Sequence, residues 1–322
     1  MIQTTEQDRR RGPALARQGS GIRALGAAVS RDRLLYLLLV LPVAFFVVFH
    51  YVPMYGLSLA FRQWVPGGPM FGGRWRGLHY FESFLTDPTF WRAFRNTILL
   101  SALNLVVGFP IPIVFALLLE EVRSLRFKRA VQTVSYLPRF VSLVVVIGLT
   151  KEFLSPNNGP VAALFTYLGW EPVHFLAEPG WFRPIYIGTE IWQWTGWQAI
   201  IYIAALANVN VELYESAALD GAGRFKQALH VSLPQMMPAI VIILVLRIGH
   251  ILAVGFEKVL LLDNPLVRES SEIIQTYVFR MGILGGHFSF STAVGFFDAV
   301  VGLLMVITAN WFARRFSETS LW

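Results

Sequence analysis

Apolar and polar residues alternate along this chain on a coarse scale. Six mainly apolar stretches, at about 34–61, 96–119, 131–153, 184–207, 236–262 and 289–313, are separated by polar or charged segments. Each is long enough for the roughly 20 residues that a helix needs to cross a bilayer. The pattern predicts an all-α, polytopic membrane protein with six transmembrane helices. Pro42, Pro110, Pro112 and Pro138 fall inside these stretches. Spans tolerate such residues where neighbouring helices and side chains re-satisfy the backbone groups they free. The transmembrane domain is expected over 34–316. Residues 1–33 read as a polar, basic tail with room for a short interfacial helix, and 317–322 as a polar C-terminus. The apolar run from Leu34 is too long for the core of a signal peptide, and no small-residue cleavage site follows it, so it reads as a retained first span.

Composition agrees with the pattern. Hydrophobic residues make up 55% of the 322 and charged residues only 15%, against roughly 25% charged in a soluble domain. A soluble enzyme is excluded, because polar surface is too scarce to cover one. With no Cys, disulfides, thiolate nucleophiles and Cys-ligated metals are excluded as well. The net charge of +7 is not read as a nucleic-acid signal, because Lys and Arg gather in cytoplasmic loops of membrane proteins. Fifteen lie in the tail, 120–130, 208–235 and the C-terminal end, against ten on the alternate side. That bias places both termini in the cytoplasm. On the outer side, loop 154–183 should hold a short helix near 160–168, opened by Asn157 and Asn158 and ended by Gly169.

The segment 208–235 departs from the alternation. Leu213, Ala217, Gly221, Phe225 and Leu229 recur every four residues, which is one face of a helix. It is too polar to span and too periodic for a slack loop. Gly221 weakens a helix interior by about 1 kcal/mol, so a bend or break is expected there, and Pro234 is expected to end the segment and admit the next span. Small residues on one face suit close approach of a soluble partner's groove better than a headgroup layer, which calls for bulkier apolar groups and a denser basic face.

The spacing Glu215-Ser216-Ala217-x-x-x-Gly221, nine residues, then Val231-x-Leu233-Pro234 resembles the EAA loop of permease subunits of type I ATP-binding-cassette importers. Ser216 and Val231 are small departures from E-A-A and Ile. Asp220-Gly221-Ala222 is similar to the carbohydrate-uptake branch. So are Pro53-Met54-Tyr55-Gly56, Arg95-Asn96-Thr97, Ser135-Tyr136-Leu137-Pro138 and Ala313-Arg314-Arg315-Phe316-Ser317-Glu318. The likeness covers nearly the whole chain after residue 33 and is nearest to polysaccharide permeases, those of alginate importers included.

That resemblance implies a permease in the bacterial cytoplasmic (inner) membrane, paired with a second homologous permease and with two ATPase subunits, expected as a homodimer. A solute-binding protein would deliver a carbohydrate to the outer face. Segment 208–235 would be the coupling loop gripped by one ATPase. Glu215 would be its charged contact, Ala217 would allow close packing and Gly221 the bend, with Ser216, Asp220, Leu233 and Pro234 completing the motif. No cofactor is expected in this chain. It has no G-x-x-x-x-G-K-[ST] phosphate cradle, so ATP and Mg belong on the ATPases.

Ionisable residues at membrane depth are functional candidates by default. Arg247, His250 and Glu257 share one face of the fifth span by their spacing, and Arg247 lies roughly 16 Å in, near the midplane. Asn104, Glu190, Trp192, Gln193, Trp194, Trp197 and Asp298 add polar and aromatic groups. Together they read as a sugar-binding translocation path. The alternatives are structural: an Arg247–Asp298 pair as bundle glue, an interfacial tryptophan belt, and His250 as a hydrogen-bonding residue and no metal ligand. Five basic residues in 62–95 favour an acidic oligosaccharide such as alginate. Two rival functions stay open on the residues alone. One is a membrane-embedded glycosyl- or acyltransferase using Glu190, His250 or Asp298. The other is a stand-alone channel or secondary transporter.

Overall fold

Helix dominates the computed structural model, which describes residues 33–69, 73–249, 252 and 254–316. The basic tail, His250 and the C-terminal end at 317–322 lie outside the described residues. Helix α1 runs over Arg33–Phe61. Its first fourteen residues bury none of their side chains, as suits a helix whose surroundings are hydrocarbon. It is a compact unit by itself up to Leu57, and the remainder from Ser58 is the second unit.

In that second unit a short ribbon pairs Arg62 with Trp75 and Gln63 with Arg74. Helix α2 (His79–Leu85) follows, then α3 (Pro88–Glu120). Helix α4 (Leu125–Phe140) meets α5 (Leu143–Phe153) at 100°. The short α6 (Pro160–Tyr167) precedes α7 (Pro179–Leu206) and α8 (Val211–Leu219). Helix α9 covers Arg224–Gly249, α10 Phe256–Leu262, α11 Arg268–Ser271, α12 Ile274–Phe279 and α13 Phe288–Phe316.

Among the described residues, four helices are long and apolar enough to cross a membrane, α1, α3, α9 and the 288–308 part of α13, and a fifth if α4 and α5 count as one broken span. Helix α7 has 28 residues, or about 42 Å at 1.5 Å each, but its Trp, Gln and charged residues keep it out of that set. Two of the six expected spans are therefore not continuous helices. The 131–153 stretch breaks at 141–142, and the 236–262 stretch leaves the helix after Gly249.

Each break frees backbone carbonyls, and each has a glutamine to satisfy one. Gln193 Nε2 donates to the Val141 carbonyl at 3.2 Å, and Gln275 Nε2 to the Leu252 carbonyl at 2.8 Å. Irregular backbone at membrane depth persists only where such partners or a wet cavity exist.

Pro234 does not end the 208–235 segment as expected. It lies inside the continuous α9. A π-turn over Ala228–Ser232 precedes it, with Leu233 N–H reaching back five residues to the Ala228 carbonyl. The same device precedes Pro110, where Phe109 N–H bonds the Asn104 carbonyl at 3.0 Å, and Pro53, where Val52 N–H bonds the Val47 carbonyl. Proline lacks the N–H and its ring crowds the carbonyl four residues back; a wider turn just before it removes that clash without breaking the helix.

Two loop expectations also shift. Helix α3 begins at Pro88, eight residues before the apolar stretch, because Asp87 caps it by accepting from the Thr89 amide at 2.8 Å with Pro at the first helical position. Helix α6 is opened by Gly159 at its N-cap, not by Asn157 or Asn158, and Gly169 follows its end with φ +76°.

Three apolar clusters hold the second unit together. Phe84, Phe90, Ala93, Ile274, Tyr277 and Val294 join α2, α3, α12 and α13; Phe84 and Phe90 lie 4.7 Å apart. Phe109, Ile113, Tyr202, Leu206, Met236 and Ile240 join α3, α7 and α9. Leu100, Ile147, Phe182, Ile187, Val254 and Val259 join α3, α5, α7 and α10. Gly196 of α7 is buried, and a methyl group there would collide with the backbone carbonyl of Ser135. The two helices touch backbone to backbone because that residue has no side chain.

Candidate functional site

The two helix breaks open onto one cavity of about 780 Å³. Helix α7 supplies Glu190, Gln193 and Trp194, one face by the three- and four-residue spacing. The π-turn of α3 supplies Asn104, the last turn of α9 supplies Arg247, and the start of α10 supplies Glu257. Six of the ten residues expected to line the path are thus brought together.

The other four are not. Trp192 and Trp197 belong to α7 but are 53% and 43% exposed and line no part of the cavity; Trp197 instead meets Phe140 edge-on at 5.9 Å. Asp298 is also outside it, and its Oδ1 is buried without a hydrogen-bond partner. His250 lies outside the described residues. The alternative Arg247–Asp298 pair does not form either. Arg247 Nη2 donates to Gln198 Oε1, and its guanidinium lies 5.7 Å from the Phe109 ring.

Two cations that sequence reasoning missed stand in the same cavity. Lys258, with its side chain 4% exposed, pairs with Glu190 at 2.8 Å and lies 4.6 Å from the Tyr186 ring. Arg139 stacks over Trp194 at 4.0 Å. The signal for Lys258 is its position beside Glu257 inside an apolar stretch. Arg139 follows Pro138 in a motif already singled out for its likeness. The cavity therefore holds Arg139, Arg247 and Lys258 against Glu190 and Glu257, with Ser101, Asn104 and Gln193 as neutral donors and acceptors. No group of three or more metal-ligating side chains occurs among the described residues.

The 208–235 segment is built quite differently. Asn210 caps α8 by accepting from the Glu212 amide at 3.0 Å. The helix closes with Gly221 N–H to the Ala218 carbonyl at 3.0 Å and Ala222 N–H to the Ala217 carbonyl at 2.9 Å. Gly221 sits between them at φ +75°. This is the Schellman arrangement, which wants glycine because a Cβ strains the left-handed conformation. The bend or break expected at Gly221 is thus a helix stop followed by a restart at Arg224. Tyr214 and Ser232 join the two arms through a 2.8 Å hydroxyl contact. Helix α8 buries no residue, and Leu219 and Phe225 are 89% and 80% exposed. Glu215, Ser216, Asp220 and Gly221 are exposed too, and Ala217 is half-buried.

Residues 108–318 match the family model described as binding-protein-dependent transport system inner membrane component. The chain is 43% identical over 303 residues to protein LplB of Bacillus subtilis strain 168, covering 94% of this chain and 95% of that protein. It is 44% identical over 292 residues to the polygalacturonan/rhamnogalacturonan transport system permease protein YteP of the same organism, covering 91% of each. A chain in the crystal structure of a bacterial alginate ABC transporter in complex with alginate pentasaccharide-bound periplasmic protein superposes with a TM-score of 0.86 at 42% identity. That match covers 92% of this chain and 99% of the other.

Proposed function

The chain belongs to the family of binding-protein-dependent transport system inner membrane components, and from that premise we propose that its cavity is half of a translocation path for an oligo- or polysaccharide. It is a permease subunit of a sugar ABC transporter and not an enzyme. A second, homologous permease supplies the other half of the path, and two ATPase subunits carry the ATP and Mg. A solute-binding protein delivers the saccharide from outside. Both termini are cytoplasmic, and α7 and the broken segments complete six passes through the inner membrane.

The observation that carries this reading is the pairing of a charged cavity at two helix breaks with a separate, unburied helix-turn-helix. Sugar hydroxyls need paired donors and acceptors, and Asn104, Gln193 and Glu190 offer them at the cavity wall. The 211–227 segment exposes Leu219 and Phe225 in the manner of a helix laid into a partner's groove. ATP-driven closure of the ATPases moves that segment, and with it the bundle, because nucleotide favours one permease conformation over the other. Glu215 is the charged contact. Ala217 permits close packing, and Gly221 holds the stop between the two arms.

The rival readings lack such support. Glu190 is already engaged with Lys258, and Asp298 stands away from the cavity, so these two carboxylates do not share it. A stand-alone carrier has no use for the exposed segment. The test is ATP-driven uptake by the importer reconstituted in vesicles. Gly221→Asp and Glu215→Ala should abolish uptake while the chain still inserts and co-purifies with the second permease. Uptake surviving both changes would remove the coupling assignment, and uptake without ATP would remove the importer reading.

A further inference from the structure

We propose that Arg139 holds a carboxylate group of the transported saccharide, so that this path favours oligosaccharides bearing uronic-acid-type carboxylates over neutral ones. The proposal rests on the reading of the cavity as the translocation path and adds the chemical class of what passes through it.

Three cations line the cavity, and their partners differ. Lys258 has the Glu190 carboxylate at 2.8 Å. Arg247 has the neutral amide oxygen of Gln198. Arg139 enters no ion pair among the described residues, and its Nε is buried without a hydrogen-bond partner. An unpaired cation in a partly dry site is costly to retain. The cost falls when an anion arrives from outside, and the binding free energy of that anion is correspondingly larger.

The geometry suits a carboxylate. Arg139 stands in a short 3-10 turn, Leu137–Phe140, at the break between α4 and α5. Pro138 stiffens the turn from within, and Gln193 pins it from α7 by its bond to Val141. The guanidinium lies 4.0 Å over the Trp194 ring, a cation–π contact that holds the group at the cavity wall. An edge of parallel N–H groups donates to the two oxygens of a carboxylate together. The stack also covers one face of Trp194, which is therefore closed to the C–H face of a sugar ring. Glu257 and Glu190 set the limit on charge: cations exceed carboxylates by one in this cavity, and Glu190 is already engaged.

The assembled importer in lipid nanodiscs provides the test. Tryptophan fluorescence is titrated with trigalacturonate and with maltotriose at equal ionic strength. The wild type should bind trigalacturonate about tenfold more tightly than maltotriose. Arg139→Gln should lose about tenfold for trigalacturonate and leave maltotriose unchanged, and Arg139→Lys should fall between, since an ammonium cannot offer the paired edge. Trp194→Phe should remove most of the fluorescence change. Wild-type binding of trigalacturonate no tighter than maltotriose overturns the proposal. So does an Arg139→Gln variant that binds trigalacturonate normally, or that loses both sugars equally, which is the mark of a structural role. ATP-driven uptake separates the two readings. An importer that moves no saccharide sinks the proposed function, whereas one that moves saccharide with an acid preference untouched by Arg139→Gln sinks this inference alone.

Discussion

The cavity and the 208–235 segment place their important residues under opposite constraints. In the segment, α8 buries nothing, and its apolar residues lie open. Its residues are held by little within the chain. In the cavity, Gln193 and Lys258 are almost fully buried, and each is tied to another helix. Its residues answer first to their neighbours. The difference teaches that a change in the segment should disturb transport and spare stability, whereas a change in the cavity wall should disturb both.

The largest expected effect lies on the segment side and is the loss of uptake in Gly221→Asp described above. That strain is local, about 1 kcal/mol for a non-glycine residue in the left-handed region, so the melting temperature in detergent should move little. A collapse of the melt would break the comparison. Next comes Lys258→Met, which leaves Glu190 without its cation. Removing one partner of a buried pair costs about 3–5 kcal/mol, and the double change Glu190→Gln with Lys258→Met should recover most of it. Thermal unfolding of the three variants measures this, and equal melts for single and double variants would show that the pair is not coupled.

A smaller effect is expected at Gly196, where a methyl group meets the Ser135 carbonyl. Gly196→Ala should cost about 1–3 kcal/mol by overpacking and should loosen the Arg139–Trp194 stack one turn away. The smallest concerns Asp87, outside the spans. Burial raises its pKa, but the Tyr277 hydroxyl at 2.6 Å, the Thr89 amide and the Arg92 charge outweigh that and hold it below the ordinary 3.8. Burial and the same carboxylate push the Tyr277 hydroxyl up. A carboxyl depressed in the folded state adds stability above its unfolded pKa and loses it as pH falls through the folded value. Asp87→Asn should therefore flatten the stability profile below about pH 4 and leave it unchanged from pH 9 to 10, read from melts across that range.

Where local chemistry decides, the residues were legible in advance. The helix-turn-helix at 211–227, its stop at Gly221 and the short helix ending at Gly169 follow from periodicity and from glycine's access to positive φ. Asp87-Pro88 carried a start signal for α3 too, but the apolar stretch drew attention to residue 96. Pro234 misled because a proline by itself stops a helix. The wider turn before it is a property of the backbone ahead and is not written in the proline.

The apolar stretches were enough for a helical membrane protein with a helix stop at Gly221, because hydrophobic length and turn chemistry act over a few residues at a time; the permease family entered through the resemblance of the motif around Glu215 and Gly221. Which polar side chains meet was decided by tertiary structure. Trp192, Trp194 and Trp197 are alike in composition and neighbours in the chain, yet Trp194 alone faces the cavity, because Gly196 seats α7 against α4 in one rotation. Lys258 reaches Glu190 only because the helix ends at Gly249 and restarts at Phe256. Contacts between residues 68 positions apart depend on how whole helices pack, and no local pattern encodes that.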